Sequence, residues 1–315
     1  MKEFVSVKNL TKNYGDFCAV DSLSFSVGEN EIFGFLGPNG AGKSTTLNII
    51  TTLSDYDKGN VTINGYDIIK EKVEAKQHMG MVPQDIALYY HLSAIENVKF
   101  FASLYGLKGN KLDQAAKEAL DFVGLSDRMK MKPKKMSGGM QRRLNIACGI
   151  AHNPKLIVMD EPTVGVDAQS REHILNSIRI LRERGTTVIY TSHYMQEVEE
   201  ICDRIAIIDR GKMVASGTKE ELVSHVTDIQ TYFISTRFPA ELEKEAFQKQ
   251  ITYLPGVKKV SIDDQVIRVD IQVGKNSISK ILEEVISRNF PIHDIASEVP
   301  NLDTTFLSLT GHELR

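Results

Sequence analysis

The sequence predicts an α/β protein: a mostly parallel sheet covered on both faces, followed by a smaller α+β unit. Two observations carry this. Short apolar runs (EIFGFLG from Glu31, KLIVMDEP from Lys155, TTVIYTSH from Thr186) alternate with helical patterns, as buried parallel strands do. From about residue 224 the order becomes strand, helix, two strands, helix, strand, which suits a small β-α-β-β-α-β plait.

Taken in order, Phe4–Val7 and the set Leu23, Phe25, Val27 alternate like strands ahead of EIFGFLG. A glycine-rich loop then opens into a helix over Ser44–Thr52. Between about Leu92 and Leu125, Val98, Phe101 and Leu104, then Ala115, Ala119 and Phe122, recur at helical spacing, so a helical insert interrupts the sheet. The rhythm resumes with a helix over Gln141–Ala151, the strand of KLIVMDEP, a helix near Arg171–Arg184, the strand of TTVIYTSH and a final strand near Arg204–Asp209. The plait reads as strands at Tyr232–Ser235, Lys258–Ile262, Val266–Val273 and Pro291–Ser297, with helices at Ala240–Lys249 and Ser277–Arg288. The expected domains are 1–223, with the helical insert at about 86–150, and 224–315.

The 315 residues carry 38 basic and 41 acidic side chains, a net charge of -3 that offers no basic excess to hold nucleic acid. Cys18, Cys148 and Cys202 lie far apart, outside any metal-ligand spacing, and read as small core residues of a reducing compartment. MKEFVSVKNL alternates like a strand and lacks the apolar core of a signal peptide. No run approaches the roughly 18 apolar residues of a membrane span, so at a membrane another chain must do the spanning.

The chemistry begins at Gly37-Pro38-Asn39-Gly40-Ala41-Gly42-Lys43-Ser44-Thr45, which fits the phosphate-loop pattern G-x-x-x-x-G-K-[ST] between strand and helix. Glycines permit turns that aim backbone N–H groups inward, and the helix start adds partial positive charge. Lys43 is expected on the β- and γ-phosphates and Ser44 on Mg²⁺. In LIVMDEP the acids Asp160 and Glu161 emerge where a doubly wound sheet binds ligands. Asp160 suits the Mg²⁺ shell and Glu161 suits a general base for the attacking water. His193 could contact the γ-phosphate or be a hydrogen-bonded strand-end histidine. Gln84 could reach metal or water or be a loop amide. Tyr14 could stack on a nucleobase or be an ordinary buried tyrosine.

Together with Ser137-Gly138-Gly139-Met140-Gln141-Arg142-Arg143, these pieces resemble the ATP-binding cassette (ABC) ATPases over about Phe4–Leu222. The resemblance implies a P-loop fold with a RecA-like core, an antiparallel β subdomain and a helical subdomain, ahead of a ferredoxin-like plait. It makes Tyr14 the adenine-stacking position, Gly37–Thr45 the Walker A loop, Gln84 the Q-loop, Ser137–Met140 the signature and Asp160 with Glu161 the Walker B pair. Gly165-Val166-Asp167 resembles the D-loop and His193 the switch histidine. In that family the signature of one subunit covers ATP on the Walker A loop of another. The implied assembly is a homodimer, or a heterodimer with a second cassette, sandwiching two ATP.

The signature departs from the usual pattern at its fifth position, Met140 in place of glutamine. SGGMQRR, SHYMQEVE and the terminal LDTTFLSLTG, with Thr305 in place of the usual acid before the phenylalanine, are similar to the drug- and lipid-exporting ABC-2 branch. That implies an ATPase on the cytoplasmic face of the membrane, working with an integral permease subunit. The uncharged Ile86–Ile95 would receive that permease or pack in the core. The alternative is a soluble ABC ATPase acting on ribosomes or DNA; a single cassette, no sustained heptads and no basic patch weigh against it. Glu161 weighs against a non-hydrolysing scaffold.

Overall fold

The computed structural model describes residues 2–226, 229–238, 241–272, 275, 277–298 and 302–311. They form two compact units. The first ends at Lys219 and also includes residues 309–311; the second spans Glu220–Ser308.

The first unit opens with a long hairpin, β1 (Glu3–Tyr14) and β2 (Phe17–Gly28), closed by a two-residue turn with Gly15 at positive φ. It continues through β3 (Ile32–Leu36), α1 (Lys43–Ile50), β4 (Lys58–Ile63), β5 (Tyr66–Asp67), α2 (Lys72–Gln77) and β6 (Met79–Val82). The helical insert is α3 (Ala94–Leu104), α4 (Gly109–Phe122) and α5 (Gly138–Ile150). Then come β7 (Leu156–Asp160), α6 (Ala168–Glu183), β8 (Thr187–Thr191), α7 (Met195–Ile201), β9 (Arg204–Asp209) and β10 (Lys212–Gly217), and α8 (Lys219–Val226) begins at the boundary and runs into the second unit.

β2, β1, β4 and β5 make an antiparallel sheet, while β10-β9-β3-β8-β7-β6 is the order of the second sheet. Its five strands from β9 to β6 run parallel. Every residue of β3, β7 and β8 is buried, which is why these segments read as unbroken apolar runs rather than alternating ones. Strand β10 extends the sheet beyond the expected final strand. Arg210 and Gly211, both at positive φ, make the tight turn that folds it back antiparallel on β9.

Phe25 of β2 stacks on Phe33 of β3 at 5.6 Å between centroids and packs on Phe35 at 5.2 Å, joining the two sheets through one core. Each fully buried Leu, Ile or Phe there contributes about 1.5–3 kcal/mol before conformational entropy is subtracted. In the insert, a reciprocal capping box between Ser93 and Glu96 starts α3.

The second unit contains β11 (Ile229–Thr236), α9 (Glu241–Thr252), β12 (Val257–Asp263), β13 (Val266–Gln272), α10 (Ser277–Ser287), β14 (Ile292–Glu298) and α11 (Leu302–Thr310). Its sheet, β12-β13-β11-β14, is antiparallel throughout, the ferredoxin-like order. Ile234, Ile267, Val269 and Ile271 face Phe247, Ile251, Ile281 and Val285 of the two helices. On α11, Thr305 is buried along with Leu302 and Phe306.

Candidate functional site

The parallel strands place four loops side by side at one edge of the sheet. Leu36 ends β3, Thr191 ends β8, Asp160 ends β7 and Val82 ends β6, and these strands are consecutive in the sheet. The loops that follow carry Gly37–Thr45, His193, Glu161 and Gln84, so residues up to 156 positions apart in sequence share the carboxyl edge where such sheets bind ligands.

The loop after β3 is shaped for an anion. Gly42 caps α1 at φ 97°, and a Cβ there would stand 2.4 Å from the Ala19 carbonyl oxygen, so only glycine fits. Lys43 is buried; its Nζ donates to the carbonyls of Gly37 at 2.6 Å and Pro38 at 3.1 Å. Burial pushes its pKa down, opposed by the charges of Glu161 and Asp160. A buried ammonium held only by loop carbonyls beside two acids suits exchange of those carbonyls for phosphate oxygens. Ser44, Asn39 and Gly40 are exposed, while Gly37, Pro38 and Ala41 are buried. Tyr14, at the hairpin tip, is 52% exposed with Lys12 Nζ 5.2 Å from its ring centroid, so it is not a core tyrosine.

The acidic pair is braced from β8. Thr191 Oγ1 donates to Asp160 Oδ1 at 2.7 Å and accepts the N–H of Glu161 at 2.9 Å. Glu161 sits at φ 48°, a conformation that a non-glycine residue holds only under constraint from its surroundings. Its carboxylate accepts from Gln84 Nε2 at 2.9 Å on one oxygen and lies 2.5 Å from His193 Nε2 on the other. Burial raises the Glu161 pKa, the nearby His193 opposes that rise, and Asp160 adds to it. Gln84, Glu161 and His193 therefore form one contact chain, with Asp160 tied to Glu161 through Thr191. Gln84 Nε2 is engaged on Glu161, and Gln84, Asp160 and Ser44 carry an amide oxygen, a carboxylate and a hydroxyl on three of the loops at this edge. Such hard oxygen donors suit Mg²⁺, which binds few protein ligands beside nucleotide oxygens.

The signature segment sits against a different element. Ser137 caps α5, its Oγ accepting from the N–H of Met140 at 3.3 Å. A Cβ on Gly139 would stand 2.1 Å from Ser170 Oγ, so the start of α5 packs onto the cap that Asp167 makes for α6. Ser137 and Gly138 are exposed, leaving their polar groups open to a ligand carried by another molecule.

Sequence reasoning missed the residues that hold these groups. Buried Arg142, on α5, donates through Nη1 to the carbonyls of Pro83 at 3.1 Å and Gln84 at 2.7 Å, linking the signature helix to the loop after β6. Thr191 and Glu197 do the same for the acidic pair and the His193 loop. Arg142 lies within the quoted SGGMQRR and Glu197 within SHYMQEVE, but nothing local singles out either one; Thr191 ends the apolar run TVIYT as an ordinary polar residue.

The sequence profile of the ABC transporter family matches residues 20–164. The linearmycin resistance ATP-binding protein LnrL of Bacillus subtilis (strain 168) is 44% identical over 99% of this chain and 99% of its own length. The daunorubicin resistance ATP-binding protein DrrA3 of Streptomyces coeruleorubidus is 31% identical over 99% of this chain and 97% of its own. Among solved structures, the dimeric post-hydrolysis state of the ATP-binding cassette MJ0796, bound to ADP and Pi, is similar with a TM-score of 0.62 and 29% identity. It covers 68% of this chain and 98% of that one.

Proposed function

The chain belongs to the ATP-binding proteins of the ABC transporter family, and from that membership we propose that it is the ATPase subunit of an ABC-2 type exporter. It energises efflux of a drug, lipid or similar amphiphile through a separate membrane subunit. The observation that carries this reading is the end-to-end similarity, second unit included, to ATP-binding proteins named for antibiotic resistance.

In the proposed cycle, Lys43 leaves the carbonyls of Gly37 and Pro38 for the β- and γ-phosphates of ATP, and the N–H groups of Gly40–Thr45 take the remaining oxygens. Tyr14 stacks on the adenine. Glu161 accepts a proton as water attacks the γ-phosphorus and the bond to ADP breaks. Gln84 orients that water, and His193, already on Glu161, reaches the γ-phosphate. Ser44, Asp160 and Gln84 would hold Mg²⁺, which would supply positive charge to the phosphate oxygens. The exposed Ser137 and Gly138, with Gly139 behind them, bind the γ-phosphate of ATP on a second cassette, so two nucleotides glue a dimer and hydrolysis loosens it. Residues 1–223 form the motor and 224–315 the accessory domain.

Among the described residues no helix is long and apolar enough to cross a membrane. The proposed seat is the cytoplasmic face of the membrane, against an integral permease. Tyr89 (43% exposed), Phe100 (37%) and Leu104 (66%) form an aromatic and apolar surface on the insert that suits this contact.

The test uses Glu161→Gln, which should bind ATP without turnover. Tagged and extracted in mild detergent with ATP and Mg²⁺, it should co-purify a polytopic membrane protein lacking its own cassette, and alone it should elute as a dimer. Recovery of ribosomes or DNA without a membrane protein would overturn the exporter reading. A monomer that continues to hydrolyse ATP would overturn the role of Glu161.

A further inference from the structure

Glu197, on α7, is fully buried, and four groups from three other parts of the chain converge on it. One carboxylate oxygen accepts from Thr163 Oγ1 at 2.8 Å, Tyr190 OH at 2.6 Å and Ser192 Oγ at 2.6 Å. The other is ion-paired with Arg171 Nε at 2.8 Å. The partners are not scattered. Thr163 lies two residues after Glu161, Ser192 immediately before His193, and Arg171 one turn into α6, the helix that Asp167 caps.

Both neighbours of His193 are thereby held. Ser192 is bound by Glu197 and itself accepts the N–H of Tyr194 at 2.9 Å, while the Arg171 guanidinium lies 5.1 Å from the Tyr194 ring centroid. A buried carboxylate must find partners to offset its desolvation, and here they come from the loop after Glu161, from β8 and the residue that precedes His193, and from α6.

We propose that Glu197 is a positioning residue: with Arg171 it couples the Glu161–Asp167 loop to the His193 loop, so that the histidine stays in register with Glu161 and its γ-phosphate contact. This rests on the roles proposed above for Glu161 and His193. Glu197→Gln keeps the shape and an acceptor oxygen but removes the charge that holds Arg171.

Single-turnover ATP hydrolysis, with ADP affinity and melting temperature, is measured on full-length wild type, Glu197→Gln, His193→Ala and the double variant. Glu197→Gln should hydrolyse at least about tenfold more slowly with ADP affinity within about threefold of wild type. The double variant should be no slower than His193→Ala, since both changes disable one unit. Wild-type hydrolysis by Glu197→Gln, or losses that multiply in the double variant as for a general stabilising pair, would overturn the proposal. Should Glu197→Gln fail to fold, Ser192→Ala removes one contact in the same cycle. It should give a loss of about threefold that vanishes in the His193→Ala background; normal hydrolysis, or a loss that persists there, overturns the proposal. Normal hydrolysis by His193→Ala would instead remove the histidine's role, and this inference with it; a slow His193→Ala beside a normal Glu197→Gln overturns the inference alone.

Discussion

The two units bury different things. The first buries Glu31, Lys43, Arg142, Asp160, Glu161 and Glu197, whereas in the second the buried polar groups among the described residues are Thr236, Ser277 and Thr305, with no charge. Burying a charge is costly unless it is paired, so charges inside a core require either structural partners or a ligand. Glu31 is the structural kind: the N–H of Gly28 and Arg204 Nη1 satisfy it, and it lies far from the carboxyl edge of the sheet. Glu161 is the other kind, at positive φ, with a raised pKa and only two neutral or titratable side chains on its oxygens. The contrast teaches that burial of charge alone does not single out a candidate base; Glu31 is satisfied structurally, whereas Glu161 combines burial with a strained backbone and partners that are a neutral amide and a titratable imidazole, which is what supports the role proposed for it.

The comparison is broken most directly by Glu161→Gln, which should lower ATP turnover about 10²–10⁴-fold while leaving nucleotide affinity intact, as measured by steady-state hydrolysis and equilibrium binding. Its counterpart in the apolar unit is Phe247→Ala, expected to cost about 3–5 kcal/mol in chemical denaturation of the second unit. ATP turnover per folded molecule should not change; a matching loss of turnover would show that the plait shares in the chemistry. Gly139→Ala sharpens the picture, because the new Cβ must push Ser170 off the α6 cap. ATP-dependent dimerisation on a sizing column should weaken about tenfold, while monomeric ADP binding stays normal.

A pH series follows. Because burial holds the Glu161 carboxyl above the ordinary carboxylate range, turnover should fall with acid through that raised value and not the usual one. The linked stability has the opposite sense. The folded chain binds this proton more tightly than the unfolded chain, so stability declines as pH rises between the ordinary and the raised pKa, and Glu161→Gln should flatten that slope. The smallest effect is Tyr14→Ala, a rise in the KM for ATP of about fivefold, since one exposed stacking contact contributes about 1 kcal/mol.

Much of this was legible beforehand. The strands and helices that were expected fell close to their places because parallel strands must be apolar throughout and helices show their period, whereas β4, β5, α2, α7, α8 and α11 were not foreseen. The hairpin strands β1 and β2 proved far longer than their alternation suggested, since bulges in β1 shift the pattern between faces. Strand β10 escaped notice because its alternation is half exposed and its turn depends on Arg210 adopting positive φ.

What the sequence determined by itself are the features written within a few residues: the glycine turn and lysine of Gly37–Thr45, the caps at Ser137 and Asp167, and the paired acids at the end of an apolar strand. Local backbone preference and side-chain reach suffice for these. Only the tertiary structure decided that Thr191 braces the acids, that Arg142 holds the Gln84 loop and that Glu197 gathers Thr163, Ser192 and Arg171. Gln84 and Glu161 are 77 positions apart and meet because β6 lies beside β7. That adjacency is set by non-local strand pairing and shared burial, which no short stretch of sequence encodes.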